Sequence, residues 1–163
     1  MLAVLPLPVA IIAAAAGEDR SCSTGTVSYV SFEPPLVAVP LAARGRTAEL
    51  ARRSGELSVS LLEQGQAELA VRASRSSGGD KFAEQEIPPL DAPAGLLAPA
   101  VAGSSAVFWC RVVGEHAHGS ASLFVAEICT HLEGGGSPLL RYQRQYRGLG
   151  SRVPVGEEAD YPL

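Results

Sequence analysis

The run Val9-Ala10-Ile11-Ile12-Ala13-Ala14-Ala15-Ala16 carries no polar side chain, and it constrains the fold more than any other stretch of the chain. A continuous apolar run leaves no face for solvent. It is read as a strand covered on both sides, although over this length a buried helix has the same appearance. Pro8 favours the strand, because proline lacks the N–H that a helix interior requires and is tolerated where a strand begins. The wider apolar stretch from Met1 to Ala16 imitates the core of a secretory leader. No Lys or Arg precedes it, Pro6 and Pro8 interrupt it, and it is short for a membrane span, so it is expected to be extended core.

Gly17-Glu18-Asp19 supplies a turn, and Cys22 to Ser31 is expected to return as one strand, completing a hairpin. Leu36 to Leu41 is the third strand candidate, ended by Pro40 and the Arg44-Gly45-Arg46 turn. Thr47 is expected to N-cap a helix from Ala48 to Arg53, with Arg52 and Arg53 favourable to the dipole and Gly55 at the left-handed end position. Leu57-Ser58-Val59-Ser60-Leu61 alternates strictly and is the cleanest strand signal. A second helix is expected from about Gln64 to Ser74, with Leu69, Ala70 and Ala73 on one face.

Between Ser76 and Gly103 the chain becomes loop-rich, with Gly78-Gly79 and Pro88, Pro89, Pro93 and Pro99. Ala106 to Val113 and Ser122 to Thr130 read as a long antiparallel pair around a turn region from His116 to Ser120, and Pro138 to Leu149 forms an amphipathic tail. Short strands with two modest helices predict a small, mostly antiparallel barrel.

At 163 residues the chain is expected to make one domain, spanning 1–163. A net charge of −4 without blocks of like charge argues against a nucleic-acid partner. The three cysteines, Cys22, Cys110 and Cys129, are odd in number and widely spaced. They suggest no disulfide framework or metal motif, and point to a reducing cytoplasm. No membrane association is expected, and no nucleophile elbow is recognisable.

The segment Ser23 to Pro35 is poorly suited to a dry core. Its small side chains gain little from burial, and its hydroxyls need partners that a polar planar ligand can supply. Ser31-Phe32-Glu33-Pro34-Pro35, followed by Leu36-Val37-Ala38-Val39, resembles the fingerprint of the flavin reductase-like, FMN-binding split barrels, with Glu33 at the acidic position. Ser23 stands where that family has Thr, and Gly25 and Thr26 where it has Ser. Further resemblances follow in order at Arg44-Gly45-Arg46-Thr47, Ser54 to Leu62, Gly79-Asp80-Lys81-Phe82, and Pro138-Leu139-Leu140-Arg141-Tyr142 with Tyr146 to Gly150.

The resemblance implies a single-domain antiparallel split β-barrel, mostly β with short helices, that binds FMN. It implies ring-edge contacts from Ser23, Thr24, Gly25 and Thr26, and a phosphate site at Arg44, Arg46 and Thr47, where a helix start and guanidinium forks suit an anion. On those four residues alone, a solvated turn with an ordinary N-cap is the favoured reading. Lys81 and Phe82 are implied to lie near the flavin, against the alternative of a surface Lys beside a loop-anchoring Phe. Tyr142 and Tyr146 are candidates for stacking or hydrogen bonding.

The sequence departs from the family at Gly119-Ser120-Ala121, where reductases have Gly-Asp-His. His116 and His118 lie just upstream, as exposed turn residues or as imidazoles approaching the same space. They suggest metal only weakly, since no third and fourth ligand has a recognisable spacing. The resemblance implies an NAD(P)H-dependent FMN reductase, with FAD or riboflavin as other flavins, that serves a partner monooxygenase. A non-enzymatic flavin-binding or electron-transfer protein is the alternative, and a deazaflavin or haem protein a third. A homodimer is expected, covering loop-borne Leu96, Leu97 and Val101. No catalytic side chain is named, because hydride transfer requires no protein acid or base.

Overall fold

The computed structural model describes residues 2–152. After a 3-10 turn at Leu2–Val4 come β1 (Leu7–Pro8) and β2 (Ala10–Ala16), the latter buried throughout. Two-sided covering accounts for the unbroken apolar run. Ala10, Ile12 and Ala14 enter one core cluster with Leu50, Val59 and Phe124, while Ile11 and Ala13 enter another with Leu69, Ala70 and Phe82. The period of two along a strand divides its side chains between the two cores. Gly17 turns the chain at a φ of 66° into β3 (Asp19–Gly25), which pairs with β2.

The expected single strand from Cys22 to Ser31 is broken at Thr26 and Val27. Ser28–Ser31 forms β4, which pairs with β5 (Leu36–Ala42) and not with β2. The next helix, α1 (Arg46–Ser54), starts earlier than expected. Gly45 is its N-cap, and Thr47 lies inside the first turn with its side chain buried, because partners on β3 claim its hydroxyl. Gly55 ends α1 at a φ of 72° and donates its N–H to Ala51 O at 2.8 Å, as the sequence predicts.

β6 (Glu56–Leu61) alternates in sequence but is buried on both faces. Its serines are dry because the following excursion satisfies them: Ser58 donates to Pro99 O, and Ser60 Oγ accepts from Val101 N at 3.0 Å. A 3-10 turn then leads into α2 (Ala67–Ser74), which buries Leu69, Ala70 and Ala73 as expected. The excursion holds α3 (Lys81–Glu84), β7 (Pro89–Leu90) and β8 (Ala100–Val101), and Trp109 Nε1 donates to Ala98 O at 3.0 Å to fasten it. Val101, expected on the loop surface, is buried, and Leu96 packs against the Trp109 cluster, leaving Leu97 exposed.

β9 (Ala106–His118) and β10 (Ala121–Glu133) are longer than the sequence suggests and reverse through Gly119 and Ser120 alone. β11 (Leu140–Tyr142) and β12 (Gln145–Arg147) form a hairpin against β1, with Gln143 and Arg144 both at positive φ.

The main sheet runs β3-β2-β6-β9-β10-β5-β4, antiparallel throughout. β3 and β4 are consecutive in the chain yet occupy opposite edges. A flat sheet of this order would hold its edges about 29 Å apart, whereas the link through Thr26 and Val27 reaches at most about 11 Å. The sheet therefore rolls into a barrel, split along the seam that Thr26 and Val27 cross. Among the described residues no helix is long and apolar enough to cross a membrane.

Candidate functional site

The hydroxyls that crowd the Ser23 to Pro35 segment meet different fates along β3. Ser23 Oγ donates to Thr47 Oγ1 at 2.9 Å, and Thr47 Oγ1 in turn donates to Ser21 Oγ at 3.3 Å. Ser23 and Thr47 thus belong to a seam between β3 and α1. Thr24 points to the other side and donates to Ala70 O on α2. Thr26 lies past the sheet end, and its Oγ1 is buried without a hydrogen-bond partner among the described residues. A buried hydroxyl left unpaired is unfavourable.

Thr24, Gly25 and Thr26 line a cavity of about 190 Å³ together with Pro40 of β5, and Arg141 and Tyr146 of the C-terminal hairpin. A Cβ on Gly25 would sit 3.4 Å from Ile12 Cγ1 and 3.8 Å from Pro40 O. Those are ordinary contact distances, and having no side chain Gly25 presents only backbone at the cavity wall. Arg141 was missed as a site residue in the sequence. The Pro-Leu-Leu-Arg-Tyr motif contains it, but only the pairing of β11 with β1 carries it to the seam.

A second hollow, of about 660 Å³, is bounded by Ala42, Ala43, Arg44, Gly45, Gly119 and Ser120. Pro40 and Ala42 are both exposed and two residues apart on β5, so they share a face about 7 Å apart. The two hollows therefore lie along one outward face of β5. At the second, α1 begins at Gly45 without a side-chain cap, so the positive end of its dipole lies at this hollow. Arg44 has no ion-pair partner among the described residues, whereas Arg46 is 2.9 Å from Asp19, which also meets Arg53 at 3.3 Å. Of the three residues expected at a phosphate, only Arg44 lines this hollow.

Lys81 and Phe82 lie apart from both hollows. Lys81 Nζ donates to Ala73 O at 3.1 Å, and Phe82 is buried beneath Arg20, whose guanidinium carbon is 5.3 Å from the ring centroid. Cys22 lies in the same core, where burial pushes its thiol up to about 12, and burial does the same at Cys110. Both remain protonated and inert.

The sheet register locates His116 and His118. Leu123 pairs with both Pro40 and His116, and Ala121 with both Ala42 and His118. Directly opposed residues share a face, so both imidazoles stand on the outward face, two strands from β5, on strand rather than turn. No group of three or more His, Cys, Asp or Glu that could hold a metal occurs among the described residues. On the opposite face Arg52 grips Glu115 at 2.6 Å and lies 5.6 Å from the Phe124 centroid. The hydrogen bonds from Arg52 and then Ser122 hold the Glu115 carboxyl below the usual carboxylate range.

A cavity walled by glycine backbone and an unpaired threonine hydroxyl, beside an uncapped helix end on the seam of a split barrel, is the setting in which the known relatives can be compared. The sequence profile of the flavin reductase like domain matches residues 1–150. The chain belongs to this family. An NADH-dependent FMN reductase of Streptomyces nodosus subsp. asukaensis is 30% identical over 154 residues, covering 91% of this flavin reductase-like chain and 81% of the relative. The reductase component of a 4-hydroxyphenylacetate 3-monooxygenase from Thermus thermophilus is 30% identical, with 86% and 87% covered. The styrene monooxygenase flavin reductase of Pseudomonas putida S12 superposes with a TM-score of 0.79 at 25% identity, over 93% of this chain and 96% of that one.

Proposed function

We propose that this chain is a flavin reductase that holds FMN along the outward face of β5, with the ring against Gly25 and Thr26 and the phosphate toward Arg44 and the start of α1. The observation that carries the reading is the buried, unpartnered Thr26 Oγ1 beside the bare backbone of Gly25. A hydrogen bond to a polar ring edge would satisfy that hydroxyl, and the Gly25 backbone permits close approach of a plane. Tyr146 and Arg141 cover the cavity from the C-terminal hairpin and limit water. Arg44 and the first-turn amides of α1 meet a dianion with charge and N–H donors. Bound flavin supplies the redox chemistry, accepting a hydride from a reduced nicotinamide, and this asks of the protein only binding and orientation.

The relatives named as reductase components of monooxygenases support a partner oxygenase for this chain too. Tyr29, Val30 and Phe32 are exposed on and beside edge strand β4, with Tyr29 and Phe32 stacked at 5.1 Å, and this apolar edge supports a homodimer. Cys22, Cys110 and Cys129 are free thiols, which fits a reducing cytoplasm.

The test is the visible absorbance of the purified chain with FMN, followed anaerobically on addition of NADH and then NADPH. Bleaching of bound flavin by either nucleotide is the expected result. Reduction by dithionite alone would replace the enzyme with a flavin-binding protein, and a chain that binds no flavin would defeat the proposal.

A further inference from the structure

The hollow at Arg44 has two banks, the turn from Ala42 to Gly45 and the hairpin end at Gly119 and Ser120. Gly45 N donates to Ala42 O at 2.9 Å and closes the turn, and Ala43 N donates to Ser120 O at 3.0 Å and joins the banks. Arg44 stands inside this turn, so whatever fixes the turn fixes Arg44. Connecting segments of this kind are ordinarily the mobile part of a fold.

Here one side chain braces them. Arg52 lies in the last turn of α1, and a helical side chain leans toward the helix N-terminus. That direction carries its guanidinium back to the turn, where Nη2 donates to Ala43 O at 2.9 Å. The same nitrogen is 2.6 Å from Glu115 Oε1 on β9 and 3.3 Å from Ser122 Oγ on β10. Nε meets the two Glu115 oxygens at 2.9 and 3.0 Å. The buried Phe124 ring lies beneath the fork. Glu115 pairs with Phe124 and Phe124 with the buried Val39, so the brace stands on the inward face, behind the hollow. An ion pair this exposed contributes little to folding, and its consequence is geometric.

We infer that Arg52 is a positioning residue for the flavin phosphate, holding the Ala42 to Gly45 turn against the β9 and β10 hairpin so that Arg44 lines the hollow. Arg52 itself does not line it. The inference rests on the flavin reading, which directs the phosphate to Arg44. A turn already held in its binding geometry loses less conformational freedom when the dianion arrives. Lysine cannot replace the brace, because an ammonium keeps the charge but lacks the planar fork that serves carboxylate and carbonyl together.

Titration of the full chain with FMN and with riboflavin, beside a urea unfolding curve for each variant, tests the assignment. Arg52→Met keeps an unbranched stem and removes the fork. It should bind FMN about three- to fivefold more weakly and riboflavin as before, because only the phosphate end is disturbed. Arg52→Lys should recover little of that loss. Glu115→Ala, which loosens the fork without removing its charge, should show the same split between the ligands. Combined with Arg44→Gln, the loss in Arg52→Met should not add in full, since Arg52 acts through Arg44. FMN affinity unchanged in both Arg52→Met and Glu115→Ala would overturn the inference, as would equal losses for the two ligands in both. Tighter FMN binding by Glu115→Ala, or full recovery in Arg52→Lys, would overturn it by reducing Arg52 to a distant charge. Absence of FMN binding by the unmodified chain would instead defeat the flavin reading beneath it.

Discussion

Two sets of hydroxyls on neighbouring residues of one segment are treated in opposite ways. Ser23 donates to Thr47 and Thr47 to Ser21, a relay of hydrogen bonds between β3 and α1, whereas Thr26, just past the end of β3, has its oxygen buried and unanswered. The first set is complete within the protein and stabilises the packing of α1. The second is incomplete and is placed where the barrel fails to close. The difference shows that polarity in a segment says little about its role until its partners are counted.

Thr47→Val breaks the complete set and should have the largest effect. It strands Ser21 and Ser23 in a buried seam, and is expected to lower unfolding stability by about 1–3 kcal/mol in urea. Thr26→Val should do the reverse. Removing an unpaired hydroxyl is close to neutral for folding, while the affinity for both FMN and riboflavin falls about fivefold to tenfold, a loss of about 1 kcal/mol, by flavin titration. Equal stability losses in the two variants would erase the contrast.

Arg44→Gln should weaken FMN by a few-fold, within about 1 kcal/mol, and riboflavin much less. Arg46→Ala should matter less than Arg44→Gln, since its charge is engaged by Asp19. Smallest is Glu115→Gln on the opposite face. The folded carboxyl is held below its ordinary range, so its contribution is present above that range and lost as pH falls through the folded value. The pair is solvent-screened, so the variant should lose less than about 1 kcal/mol at pH 7 and progressively less as pH falls below the ordinary carboxylate range, by urea midpoints across an acid series.

Local pattern revealed much of the barrel. Pro8 and Gly17 bracket β2, Gly55 ends α1 where expected, and the long pair β9 and β10 is recognisable from either side of its turn. What was illegible depends on distant partners. Nothing in Cys22 to Ser31 breaks a strand locally, yet Ser28–Ser31 crosses to the other edge of the sheet because β5 offers the vacant pairing. Thr47 looks like a cap because serine and threonine commonly serve as one, but its partners lie on β3, more than twenty residues upstream. Thr24, Gly25, Thr26 and Tyr146 do converge on one cavity, and Arg44 lines the hollow beyond. Lys81 and Phe82 follow motif order in sequence, yet α3 buries Phe82 in the helix-covered core and places the half-buried Lys81 against the Ala73 carbonyl.

The chain contains a single tryptophan, Trp109, and its indole N–H fastens the excursion between Ser76 and Gly103 to the barrel through Ala98. That makes its fluorescence a private gauge of one clamp. Emission should shift to longer wavelength when the excursion lifts and water reaches the ring, while far-ultraviolet circular dichroism continues to report the strands of the barrel. Loosening of the excursion and collapse of the sheet can thus be followed in the same cuvette without adding a label.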